Sequence, residues 1–158
     1  MCKWFNYSDG AFSLLSIKIG DVDSIALKKA RRWLPLLKIR ILPKNKNCVQ
    51  FASKEDGVGN SAVTIVSENR LVKRITMICA NNEENRKVEK FRKLALKALE
   101  ICQSHRNEFD GVEISGGAIQ SCYTFGNSRN SLFICIQDMK RGADYNIFII
   151  EIKAIKTP

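Results

Sequence analysis

The chain has 158 residues, 45% of them hydrophobic, which is long enough for one domain with its own core and too apolar for a disordered tail. Its 26 Lys and Arg against 16 Asp and Glu leave a net charge of +10, which points to phosphate-rich partners, either nucleic acid or an anionic membrane surface. No apolar run approaches the ~20 residues of a membrane span and the N-terminus shows no basic-then-apolar export signal, so the expectation is a single intracellular domain over residues 1–158, neither secreted nor membrane-spanning.

In chain order, Phe12–Ile19 reads as a strand, because Leu15, Ile17 and Ile19 alternate with Ser16 and Lys18. Gly20-Asp21 ends it. Asp23 or Ser24 can cap a helix that runs to about Leu34, with Ala26, Leu27, Ala30, Trp33 and Leu34 on one side and Lys28, Arg31 and Arg32 on the other. Pro35 is expected to stop it. Leu37–Ile41 alternates as a strand closed by Pro43, and Lys44–Asn60 reads as polar loop around a short apolar piece at Val49–Phe51. Ala62–Val66 and Leu71–Ala80 form a hairpin turned by Ser67–Arg70.

The strongest periodic signal follows. Asn81 or Asn82 would cap a helix running to about His105, with Glu83 and Glu84 in its first turn and Val88, Phe91, Ala95, Ala98, Leu99 and Cys102 along its apolar face. Beyond it Val112–Ile114, Ala118–Phe125, Ser131–Gln137 and Tyr145–Ala154 read as strands. The fold class expected is α+β: antiparallel β-sheet with two amphipathic helices packed on one side, from six to eight strands.

No catalytic constellation is legible. His105 is the sole histidine, so any Ser-His or Cys-His mechanism would depend on it, and a histidine at a helix C-terminus is favoured by the dipole alone. Cys102 and His105 have the spacing of half a metal site, without a second half. Gly57-Val58-Gly59 lacks a dinucleotide loop's context, and Gly116-Gly117 marks a bend between strands. Glu108, Asp110 and Glu113 have no spacing that separates them from a solvated loop. The six cysteines sit mostly in apolar runs and read as reduced thiols without metal. The expectation is no enzyme, no cofactor and no small-molecule substrate.

The basic residues are clustered. Between Ser24 and Lys54 there are nine Lys or Arg and no acid, with Lys28, Lys29, Arg31 and Arg32 on the first helix and Lys38, Arg40, Lys44 and Lys46 beyond it. On the second helix Arg86, Lys90, Lys93 and Lys97 fall within a band of roughly 60° opposite the apolar face. Glu89 and Glu100 are expected off that stripe. Lys28, Lys29, Arg31 and Arg32 with Arg86, Lys90, Lys93 and Lys97 are the candidate phosphate-binding or anionic-surface-binding site, and their Lys and Arg content suits backbone contact over base reading. Tyr123, Phe125, Phe133, Tyr145 and Phe148 are candidate stacking aromatics that a core would also absorb. Trp4, Phe5, Tyr7 and Phe12, next to Lys3, are either an exposed membrane tip or a docked N-terminal segment.

The order AFSLLSIKI, SIALKKARRWL, LKIRI, RLVKRITMICA, KVEKFRKLALKALEIC and a β ending resembles the globular core of the matrix proteins of negative-strand RNA viruses, particularly the short ones of plant rhabdoviruses. The resemblance implies a non-enzymatic structural protein of the virion and host cytoplasm. Such a protein self-associates into homo-oligomers and bridges the nucleocapsid and an anionic membrane. The competing reading of the same basic residues is an RNA-binding protein without membrane business, such as a viral suppressor of RNA silencing.

Overall fold

The computed structural model describes residues 4–37, 39–45, 48–53 and 59–155, without the side chains of 33–37, 39–45, 50–53 and 59–60. It opens with a three-stranded antiparallel meander of β1 (Phe5–Ser8), β2 (Ala11–Leu14) and β3 (Ile17–Lys18). The single strand expected over Phe12–Ile19 is thus broken in the middle. Leu15 and Ser16 take φ of 55° and 63°, the two-residue turn with positive φ that suits the right-handed twist of a hairpin. That turn normally asks for Asn, Asp or Gly, as at Asp9-Gly10 between β1 and β2, so Leu-Ser carries no local signal of it. The Leu15 side chain is fully buried, and that burial offsets the strain of its backbone.

Next come α1 (Asp23–Leu37), β4 (Ile39–Asn45), β5 (Cys48–Ser53), β6 (Gly59–Glu68) and β7 (Leu71–Asn81). The Val22 carbonyl accepts the first bonds of α1, from the N–H groups of Ile25 and Ala26 at 3.0 Å each. Pro35 does not stop this helix, which ends at Leu37. A proline removes one donor, and in the last turn no long run of helix remains to be kinked. Pro43 lies within β4 rather than beyond it; β4 is an edge strand, where a missing donor breaks no inner ladder, and the register shifts at that point. The segment expected as polar loop contributes β5, paired with β4 and β6.

Then follow α2 (Arg86–Ser104), β8 (Gly111–Gly116), β9 (Gln120–Gly126), β10 (Asn130–Gln137) and β11 (Asn146–Ala154). Strands β4 to β11 form one antiparallel sheet of eight in the order β4-β5-β6-β7-β11-β10-β9-β8. A helix followed by a four-stranded meander therefore occurs twice, and the last strand of each meander, β7 and β11, join at the centre. Gly116 makes the β8–β9 turn possible: its φ is 127°, and a Cβ there would lie 2.2 Å from the Gln120 carbonyl oxygen.

Register lines up one apolar row across this sheet, Tyr123–Ile134–Ile150–Met77–Val63. Against that face pack the N-terminal meander and both helices, and one buried cluster joins Phe5, Phe12 and Ile17 with Ala26 and Ala30 of α1 and Val88, Phe91 and Ala95 of α2. The α+β class read from the sequence holds. The N-terminal aromatics are docked: Phe5, Tyr7 and Phe12 are all buried. Among the described residues no helix is long and apolar enough to cross a membrane.

Candidate functional site: the cationic side of the second helix

The α2 helix is fixed from below and at its start. Val88, Phe91, Ala95, Ala98, Leu99 and Cys102 are buried, as the apolar periodicity requires. Its N-cap is Asn85, whose Oδ1 accepts from the N–H groups of Lys87 and Val88 at 3.0 Å each. Asn81 and Asn82 are not the cap; Asn81 Oδ1 accepts from the Glu83 N–H at 2.8 Å, a local turn that competes with the helix and delays it. Glu83 and Glu84 consequently lie before the first turn.

With the apolar face held down, Arg86, Lys90 and Lys93 are exposed and Lys97 is half-exposed. Among the described residues Arg86 and Lys90 take no ion pair. Lys97 Nζ lies 2.9 Å from Glu100, and Lys93 Nζ lies 3.9 Å from Glu89. Glu89 and Glu100 therefore flank the cations on one side, a correction to their expected separation: at ~100° per residue they fall some 20–40° from the edge of the stripe, within reach of a long side chain. On the other side the row borders a depression of about 460 Å³, lined by Trp4, Leu94, Lys90, Lys93 and Lys97. A second, of about 470 Å³, is lined by Glu84, Asn85, Arg86, Glu89, Lys90 and Lys93.

No described residue of α1 lines either depression. Lys28, Arg31 and Arg32 are exposed, while Lys29 is tied by an ion pair of 2.7 Å to Asp21, whose carboxylate also accepts from the Lys18 N–H. Lys29 thus helps seat α1 on the β3 turn. Lys38, Lys46 and the side chains of Arg40 and Lys44 lie outside the described residues, as does residue 54–58 of the predicted loop.

Arg92, absent from the sequence-derived site, is the best-partnered cation of the helix. It is 5% exposed, and its guanidinium donates to Asp138 at 3.1 Å, to Glu84 at 2.7 and 3.3 Å, to Glu89 and to Asn146 at 3.3 Å. It also lies 5.5 Å above the Phe148 ring. Burial opposes its charge, but the bonds to Glu84, Glu89 and Asp138 outweigh that and leave it more basic than usual, while Arg92 in turn holds the Glu84 carboxyl below its ordinary range. The signal in the sequence was its wheel position, between the lysine stripe and the apolar face.

His105 closes α2 as its C-cap, with Nδ1 2.9 Å from the Ile101 carbonyl and 3.0 Å from Ser104 Oγ, and its ring edge against Tyr7. Cys102 is buried and its thiol is pushed up to about 12, so it stays protonated at neutral pH. Cys122 and Cys135 do meet, directly across β9 and β10 with sulfurs 3.2 Å apart, a contact that separate strands hide in the sequence. The five described cysteines are free thiols. Of the candidate stacking aromatics, Phe125 and Phe148 are core, Tyr123 and Phe133 are half-buried, and Tyr145 is exposed. Among the described residues no three His, Cys, Asp or Glu converge as metal ligands.

What the arrangement offers chemically is a row of cations on a packed helix, three of them ammonium groups beside a partly aromatic trough. Compared with protein-family models, curated proteins and solved structures, the chain matches none, so the likeness to rhabdovirus matrix proteins rests on layout, charge and size.

Proposed function

We propose that this protein is a non-catalytic binder of nucleic-acid phosphates, RNA foremost, acting through Arg86, Lys90, Lys93 and Lys97. The observation that carries the reading is the orientation of α2: its apolar side is locked into the core by Val88, Phe91 and Ala95, while these four cations stand on the solvent side. A protein that carries its phosphate-binding residues on a packed helix need not order that backbone on binding, so only the side chains add to the entropic cost of association. Membrane attachment through the N-terminal aromatics has less to draw on, since Phe5, Tyr7 and Phe12 fill the core and Trp4 alone of the four is half-buried.

The test is charge reversal at Lys90→Glu together with Lys93→Glu. Both side chains are exposed, so the fold and melting temperature should stay. Affinity for an RNA duplex should drop sharply, and the slope of log affinity against log salt should flatten by roughly 2, since each phosphate contact contributes about 0.9 for a duplex. Unchanged RNA binding would reduce the row to a solvated face.

A matrix-like protein that self-associates and bridges nucleocapsid and anionic membrane is the second reading, and a different surface favours it. Val22, Ile25 and Leu71 are 37%, 49% and 38% exposed, Val22 pairs with Leu71, and Lys28 and Arg70 stand beside them in the chain. Apolar side chains flanked by cations suit an anionic interface. In this reading Lys28, Arg31 and Arg32 face the lipid. Co-flotation with anionic liposomes at low salt, lost as salt rises, is the expected result; a protein that never floats even at low salt is not membrane-associated.

A further inference from the structure

The trough beside α2 has more in it than charge. Its volume of about 460 Å³ lies in the range of small-molecule sites, and its walls are the Trp4 and Leu94 side chains with the stems of Lys90, Lys93 and Lys97. Trp4 is no loose terminus: its carbonyl accepts from the Leu15 N–H at 2.6 Å, and its side chain packs half-buried against the core. Lys90 to Lys97 spans roughly 10 Å of helix at 1.5 Å per residue, more than a single phosphate covers. The trough therefore presents an aromatic wall and a line of cations to one elongated, polyanionic ligand with flat apolar parts.

We propose that this trough holds an unpaired nucleotide of single-stranded RNA, its base against the Trp4 ring and its neighbouring phosphates on Lys90, Lys93 and Lys97. The proposal rests on the phosphate-binding reading above and gives it a strand preference. Stacking on an aromatic beside a basic row is how single strands are held without sequence reading. A duplex cannot use the wall, because its bases are already stacked on each other. An acyl chain fits less well, since the trough is open along one side and would leave the chain wet, whereas a base keeps its polar edge in water.

The experiment compares a short labelled oligouridylate with an RNA duplex of equal length. Trp4→Leu should weaken single-strand binding by about 5- to 150-fold, the range that 1–3 kcal/mol of stacking converts to, and leave duplex binding within about twofold. Trp4→Phe, which keeps a ring, should retain most of the affinity. Because Trp4 also touches the core, a second readout uses the ring in place: with Trp33→Phe, Trp4 is the sole remaining tryptophan, and its emission should be quenched as oligouridylate saturates. Emission that does not move, or single-strand and duplex affinities that fall equally in Trp4→Leu, overturns the proposal. So does stronger quenching by anionic vesicles than by the oligonucleotide, which would make the occupant a lipid. If the reversal of Lys90 and Lys93 weakens RNA binding while Trp4→Leu does not, the phosphate row stands and the nucleotide trough falls. If the reversal changes nothing, the row itself falls.

Discussion

Five hydrogen bonds leave the Arg92 guanidinium for Glu84, Glu89, Asp138 and Asn146, two of them, to Asp138 and Asn146, reaching acceptors far from it in the chain. Such a group is costly to strand, because removing its partners leaves a buried charge behind. Glu84 and Glu89 are the partners open to solvent, and with its side chain 41% exposed Glu84 has a modest share, on the order of 1 kcal/mol. Since Arg92 lowers the folded-state pKa of Glu84, the stabilisation is complete above the ordinary value of 4.5 and disappears as pH falls through the lowered one. Glu84→Gln should therefore be less stable than the unaltered chain at neutral pH, with the gap closing as the solution is acidified below about pH 4. Denaturant melts at a series of pH values measure this, and a gap that widened in acid would contradict the assignment.

At the scale of elements, α2 shows why a helix face can be trusted more than a helix end. Its periodicity places Phe91 inside, and Phe91 is 3% exposed. Phe91→Ala should cost about 3–5 kcal/mol as a truncation that leaves a cavity. Leu96, 44% exposed on the same helix, should lose less than about half a kcal/mol when cut to Ala. Chemical denaturation of the two variants separates the cases, and a loss at Phe91 no larger than at Leu96 would mean the face is wrong. Ends were harder to read, because Asn81, Asn82 and Asn85 are all competent caps and the choice was made by Asn81 turning on Glu83. The same holds for α1, where Pro35 suggests a stop and the helix continues to Leu37.

For the whole molecule, the decisive feature is the central pairing of β7 with β11, which turns two helix-and-meander units into one sheet. It gives both helices a common core, and it aims α2's lysines away from that core. The cations of α1 belong to an element that contacts β3, β4 and β7, while α2 packs over β1, β7, β10 and β11. The residues of the two readings thus lie on different helices, Lys90 and Lys93 on α2 and Lys28, Arg31 and Arg32 on α1, which lets mutations address the two readings one at a time.

The sequence by itself determined the α+β class, most strands, both helices and the outward direction of Arg86, Lys90, Lys93 and Lys97, because periods of two and 3.6 are local consequences of backbone geometry. It could not show that Leu15-Ser16 turns, since that conformation is held by burial of Leu15 against residues far away in the chain. Nor could it place the N-terminal rings in the core, bring Cys122 to Cys135, or enlist Arg92 with Asp138 and Asn146. It could not set Trp4 beside the lysine row, on which the nucleotide trough depends. Each of these joins residues many positions apart, and such contacts are decided by which faces of the assembled sheet are left to be covered.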